Sequence, residues 1–357
     1  MNTYTKFLIK NYLSSLLNVF FVFFSLIFVL NLLTELEFFK QSDVDILFPL
    51  YLSLINTPMF VFEMLPFIFL ISTQFYFSNL FSNNEMNIFK YSGLRNSKIF
   101  SIVTFATFVL GILIISIFYN LSSNLKNLYL GLKSNYTDDN KYLAVITNNG
   151  LWIKDIYNEK TLMINAGLIN QNELLDAYIS EFDKNYEIIR NIKSEKIDIT
   201  NKEWIIKNAE IYIQNNKNVV DELRFNTNFD YKIIQNLFSN MSSLSFLELI
   251  EMRKNYKKLN YSLTEIDLQL LKLISFPFYF CLMFIFAGII MMNTKTFKSK
   301  NLKITLGLFL SVIIYYINNF FYILGTSEKV GVASSIFIPL LFFALINLIF
   351  LRNLNAK

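Results

Sequence analysis

The alternation of apolar and polar stretches divides the chain into three apolar runs, a long polar insert and three further apolar runs. The apolar runs fall at residues 12–33, 48–81, 99–119, 270–292, 304–324 and 332–351. Each has about the 20 residues that a helix needs to cross a hydrocarbon core of about 30 Å. The pattern predicts six transmembrane α-helices, with residues 1–119 as the first membrane half and 269–357 as the second.

The insert, residues 120–268, is large enough to fold as a domain and contains short segments in which apolar and polar residues alternate. These predicted strands lie at 142–147, 151–156, 161–166, 174–182, 186–190, 195–199, 203–208 and 210–214. Closely spaced short strands with turn residues between them indicate an antiparallel β sandwich or an open barrel. No catalytic pattern appears in it, so a β-rich adaptor or docking domain is favoured over an enzyme.

The last part of the insert changes to a helical pattern. Ser245 and Glu248 form a Ser-x-x-Glu capping box, and Leu244, Leu247 and Ile250 are spaced as on one face of an amphipathic helix. We therefore predict a helical linker that leads into the fourth span.

The charges of the short loops indicate the orientation of the spans. All the basic loops and both basic terminal segments fall on the same side of the predicted membrane. Their lysines and arginines are Lys6, Lys10, Lys90, Arg95, Lys98, Lys295, Lys298, Lys300, Lys303, Arg352 and Lys357. Because short cytoplasmic loops carry an excess of Lys and Arg, both termini are predicted to be cytoplasmic and the insert to lie outside.

Composition narrows the function classes. The 357 residues are 54% hydrophobic, include no histidine, and carry a net charge of +5 that is explained by loop orientation and not by nucleic-acid binding. The single cysteine, Cys281, cannot form an intramolecular disulfide and is interpreted as a small buried residue. With no histidine and one thiol, we expect no His or Cys metal site and no cofactor. No Walker A motif is present either, so we expect no nucleotide site, and energy must come from a partner or an ion gradient.

Three local features are candidates for function. Glu63 lies between Pro58 and Pro66 in the second apolar run, where an acid is either solvated at the interface or faces a protein-lined cavity. The loop 82–98 contains a short amphipathic segment that either lies at the membrane interface or docks into a cytoplasmic protein. Lys40 and Lys303 lie near span ends, where lysines are by default snorkelling anchors but are also able to meet an anionic ligand.

Several segments resemble the LptF/LptG permeases of lipopolysaccharide export, in the order and spacing found in that family. The segments are Pro58…Glu63…Pro66, the loop 84–86 followed by 91–93 (similar to S-E-[LM]…A-S-G), the stretch 150–155 (GLWIKD), and Leu271-Lys272 with Pro277. The GLWIKD stretch, together with the C-terminal half, favours a G-type over an F-type subunit. The resemblance covers essentially the whole chain and implies a β-jellyroll-like periplasmic domain.

The resemblance also implies a non-catalytic subunit in the bacterial inner membrane, paired with a paralogous permease and driven by a cytoplasmic ATPase dimer. Lipopolysaccharide would be passed to a periplasmic bridge and a membrane-anchored adaptor. Glu85, Met86, Phe89 and Gly93 would form the coupling segment that receives the ATPase stroke.

The same resemblance points to Asn31, Lys40, Met59, Glu63 and Lys303 as candidates for the lipid cavity. Asn31 and Met59 depart from the family pattern, which has basic residues there, and Lys40 is a candidate to compensate. Lys303 lies at the predicted cytoplasmic end of the fifth span, and this position argues against contact with the lipid head group.

Three alternatives remain open at this stage. The chain could export another lipid or a lipoprotein, it could be a membrane sensor whose outer domain binds a ligand, or it could be an intramembrane enzyme. A sensor normally has a cytoplasmic output domain, for which no inner segment is long enough, and the spans lack paired acids or a nucleophile with its base.

Overall fold

The computed structural model describes residues 2–41, 44–134, 136, 151–170, 172–214, 216–231, 233–234, 240–258, 261–292 and 299–355. The chain divides into two compact units, which we call the membrane unit (Met1–Lys126 with Thr264–Lys357) and the β unit (Asn127–Leu263). The predicted strand 142–147 and Gly150 of the GLWIKD stretch lie outside the described residues.

Six helices of the described chain are long and apolar enough to cross a membrane, which confirms the predicted number of spans. They are α1 (Thr3–Phe38), α2 (Leu47–Ser82), α4 (Asn96–Leu113) with its continuation, α7 (Thr264–Met292), α8 (Lys300–Thr326) and α9 (Val332–Asn355). The continuation of α4 is a π-helical segment, Ile114–Tyr119, followed by α5 (Asn120–Ser134). A short helix, α3 (Glu85–Tyr91), joins α2 to α4.

Helices α2 and α7 form the centre of the membrane unit. In their apolar stretches 72% and 67% of the residues are buried, against 11% in both α1 and α8. The rings of Phe69 in α2 and Phe280 in α7 stack at 4.5 Å with an interplanar angle of 9°. The apolar faces of α1 and α8 are therefore left for lipid or for another protein.

A close crossing joins α4 to α7. A Cβ at Gly111 would lie 2.8 Å from the Cα of Pro277, a backbone atom that cannot move aside, so only glycine fits there. Beyond this point α4 enters its π-helical segment, whose buried Tyr119 packs its ring 4.9 Å from that of Phe62 in α2.

The β unit contains one six-stranded antiparallel sheet in the described residues, which confirms the antiparallel β fold. The strands pair in chain order, as in a meander: β1 (Leu151–Tyr157), β2 (Lys160–Asn170), β3 (Glu173–Phe182), β4 (Ile188–Asp198), β5 (Glu203–Ile213) and β6 (Asn216–Asn226). Alternate residues of β1 to β5 point into one apolar core, which Phe229 and Ile234 complete.

The structure corrects three details of the predicted strands. Segments 186–190 and 195–199 belong to the single strand β4, and 203–208 and 210–214 belong to β5. The last strand, β6, was not predicted. Its side chains are nearly all exposed, because it is an edge strand with little burial on either face, and so its sequence carries no alternation.

The first strand is held by residues from beyond the sheet. The buried carboxylate of Asp155 accepts hydrogen bonds from Thr227 Oγ1 at 2.7 Å, the Asn228 backbone N–H at 2.9 Å and Asn228 Nδ2 at 2.8 Å. The Tyr261 hydroxyl both accepts from the Lys154 N–H and donates to its carbonyl, each at 3.1 Å. These contacts occupy polar groups of an edge strand that would otherwise invite pairing with another chain.

Glu181 is the most buried acid of an ion-pair cluster in the sheet. Lys160 Nζ and Arg190 Nε donate to its two carboxylate oxygens at 2.6 and 2.5 Å. Burial on its own raises the pKa of Glu181, but these two cations outweigh it and hold the pKa below its usual value.

The helical linker begins as the capping box predicts. Ser245 donates to Glu248 Oε2 from both its N–H and its hydroxyl, each at 2.8 Å, and α6 runs from Phe246 to Lys258.

Candidate functional site

The loop between α2 and α4 folds as the short helix α3, with its two faces in different environments. Met86 is buried and the Phe89 ring packs edge-on against Phe7 of α1 at 6.0 Å. On the other face Ile88 and Tyr91 are 60% and 91% exposed. Of the four predicted coupling residues, two therefore anchor the helix to the membrane unit, and an apolar face is left uncovered.

The ends of α3 define its direction. Glu85 lies in the first turn, where a carboxylate is favoured by the helix dipole, and its Oε1 accepts from Asn83 Nδ2 at 3.4 Å. Gly93 has φ +77°, a left-handed conformation that turns the chain toward α4 and that other residues adopt only with strain. The helix thus begins at Glu85 and is followed by a turn that Gly93 makes possible.

The predicted lipid-cavity residues do not form one cluster. Asn31 and Met59 are buried in α1 and α2, whereas Lys40 and Glu63 are exposed. Asn56 Nδ2 donates to Asn31 Oδ1 at 3.3 Å.

A lysine that the sequence reasoning missed joins the Asn31 site. Lys126 Nζ donates to Asn56 Oδ1 at 2.9 Å and lies 4.9 Å from the centre of the Phe60 ring. A basic group is thus linked to Asn31 through Asn56, and it contacts Phe60, which follows Met59 in the chain. Its only sequence signal was a lone lysine shortly after the third apolar run.

Lys303 is engaged by the protein itself. Its buried ammonium donates to the Met291 carbonyl near the end of α7 at 2.8 Å. Its own carbonyl accepts from Gln74 Nε2 of α2 at 3.1 Å. These contacts tie the start of α8 to α7 and α2, which is a positional role that the sequence did not reveal.

A cavity of about 200 Å³ lies among α2, α7, α8 and α9 and contains Glu63. Lys272 lines the same cavity, as do the polar residues Tyr315, Asn318 and Tyr322 of α8. Sequence reasoning treated Lys272 only as part of a segment typical of the family. Glu63 therefore faces a protein-lined cavity, one of the two alternatives that its sequence position left open.

A single family model describes nearly the whole chain. The model for the lipopolysaccharide export system permease LptF/LptG matches residues 6–353, which takes in both sets of membrane helices and the β unit. No curated protein matches the chain.

Proposed function

The chain belongs to the LptF/LptG family of lipopolysaccharide export permeases, and on that premise we propose that it is the permease subunit of an ABC transporter. In this role it extracts lipopolysaccharide from the inner membrane and passes it to a periplasmic bridge. The observation that carries the proposal is the family match over residues 6–353. Members of this family are permease subunits of a multi-pass inner membrane system and are not themselves enzymes, so ATP hydrolysis is assigned to a partner.

The short helix α3 is proposed as the element to which that ATPase binds. Its exposed apolar side chains, Ile88 and Tyr91, suit insertion into a groove of a cytoplasmic protein, as a helix in a groove does generally. Glu85 beside them supplies a charge for a basic residue of the partner. Buried Met86 and half-buried Phe89 transfer the motion to the membrane unit.

The paralogous permease is proposed to cover the sparsely buried faces of α1 and α8. Two such subunits would enclose a cavity in which Lys126, beside Asn56 and Phe60, supplies positive charge for the phosphorylated sugars of the lipid. The family model has one description for both subunit types, so the preference for a G-type subunit stays a prediction.

We propose that the basic loops are cytoplasmic and that the β unit is periplasmic, where it hands the lipid to the bridge and its adaptor. A membrane-impermeant maleimide added to intact spheroplasts should label Asn158→Cys in the β1–β2 turn. It should label Ser97→Cys, at the start of α4, only after lysis. Cys281 is buried and gives little background, which a Cys281→Ala version of both variants checks. The reverse labelling pattern would show that the orientation is inverted.

The assembly is tested by isolating the tagged chain from its own membranes in mild detergent. We expect a second permease of the same family and an ATPase to be recovered with it in fixed ratio, and the ATPase activity to rise when lipopolysaccharide is added. An unrelated six-span protein carrying the same tag is the control. Recovery of the chain alone, in the detergent that preserves the control's known assemblies, would contradict the proposal.

A further inference from the structure

The cavity among α2, α7, α8 and α9 holds an ammonium group with no anionic partner in contact. Lys272 lies about two turns into α7, with its Nζ 5.3 Å from the centre of the Tyr322 ring and 6.0 Å from that of Phe276. Within the described part of the chain, Nζ has neither an ion pair nor a hydrogen bond. A charge inside a membrane helix is costly, and such residues generally mark a binding site or a buried pair.

The opposite charge in the cavity is also without an ion-pair or hydrogen-bond partner among the described residues. Glu63 of α2 lines the same space but forms no ion pair and no hydrogen bond with any described residue. The two side chains make the cavity neutral overall and attract each other across it, but they are not within ion-pair distance. A ligand that carries both charges would satisfy each of them without opposition from the other.

Some neutral groups that line the cavity suit an anion, and others suit a cation. The amides of Asn318 and Asn319 offer N–H donors to an anion. The ring of Tyr315 also lines the cavity, and an aromatic face attracts a cation.

The size of the cavity limits the ligand. Its volume of about 200 Å³ is below the range of about 300–1,000 Å³ that is usual for drug-sized ligands. It accommodates a small head group and not a sugar disaccharide. All of its lining residues belong to the membrane unit of this chain.

We propose that this cavity binds the zwitterionic head group of a bilayer phospholipid, with the phosphate at Lys272 and the amine at Glu63. Phosphatidylethanolamine has the required charges. A purely anionic lipid would be repelled by Glu63. The bound lipid would join α8 and α9 to the central helices. The inference does not depend on which lipid the transporter exports.

Retention of lipid by the purified full-length protein tests this site. The protein is reconstituted with equal amounts of phosphatidylethanolamine and phosphatidylglycerol, returned to detergent, and its bound lipids are counted by native mass spectrometry. We expect one phosphatidylethanolamine per chain, and a loss of at least tenfold in its retention in both Lys272→Met and Glu63→Gln. Lys329→Met and Glu37→Gln, exposed residues away from the cavity, should retain it.

The milder variant Asn318→Ala keeps the test meaningful if a charge substitution prevents folding, and it should weaken retention by several-fold. Greater retention of phosphatidylglycerol in Glu63→Gln, with phosphatidylethanolamine unchanged, would overturn the proposal in favour of a simple anion site. Unchanged retention of phosphatidylethanolamine in all three variants would also overturn the proposal. It would mean that Lys272 and Glu63 interact only with each other and do not bind the lipid. None of these outcomes depends on the ATPase, so the result is separate from that of the export assay.

Discussion

Replacing Ile88 by Asp is expected to release the ATPase from the permease and to abolish lipid export. Ile88 is 60% exposed on the outer face of α3, and its substitution leaves the inner contacts of Met86 and Phe89 in place. If this face docks into a groove, a carboxylate there must be desolvated without a partner. Central apolar anchors of an interface typically contribute about 2 kcal/mol or more, which corresponds to roughly a 30-fold loss of affinity.

The measurement is the amount of ATPase recovered with the tagged permease, together with lipopolysaccharide release from membranes on addition of ATP. Ser97→Asp, which adds the same charge at an exposed position at the start of α4, is the matched control and should behave as the wild type. Glu85→Ala should uncouple export with a smaller loss of ATPase. Normal assembly and export in both Ile88→Asp and Glu85→Ala would rule out α3 as the coupling element.

Replacing Asp155 by Ala is expected to open the β unit at its first strand. The substitution leaves three donors, two of them on Asn228, without the carboxylate that they contact at 2.7–2.9 Å. Hydrogen bonds to a charged group contribute about 1.5–3 kcal/mol each, and such terms are not additive. We therefore expect a loss of about 3–5 kcal/mol in the local stability of β1 and of the segment after β6.

Hydrogen exchange of the detergent-solubilised full chain measures this loss directly. A change of about 3 kcal/mol corresponds to a decrease of roughly 100-fold or more in the protection of the β1 amides. Asp221→Ala is the control, because Asp221 is exposed on β6 and makes no hydrogen bond with the described residues. Equal protection in the two variants would mean that Asp155 does not hold the edge strand.

Local sequence patterns were sufficient to locate the elements whose hydropathy or alternation persists over many consecutive residues. A membrane span depends on average hydropathy over about 20 residues, so the six helices could be located although each extends beyond its predicted apolar run. Strands β1 and β5 could be located from alternation, because one of their faces is buried. Strand β6 was missed, since an exposed edge strand has no such pattern.

The candidate site was predicted less completely than the fold. The residues of α3 are contiguous, and its helix, its cap at Gly93 and its apolar side chains could be inferred from one segment. The contact of Lys126 with Asn56 joins residues 70 positions apart, and that of Gln74 with Lys303 joins residues 229 positions apart. Spacing along one helix contains no information about such pairs.

The sequence by itself determined that this protein has six spans, a β-rich insert and an asymmetric distribution of loop charge, because these follow from composition and short-range periodicity. Only the tertiary structure decided that α2 and α7 lie at the centre, that Asp155 secures an edge of the sheet, and that Lys272 and Glu63 share one cavity. Those facts depend on which faces of distant segments meet. That choice is made by packing and by the pairing of buried polar groups, for which hydropathy along the chain carries no signal.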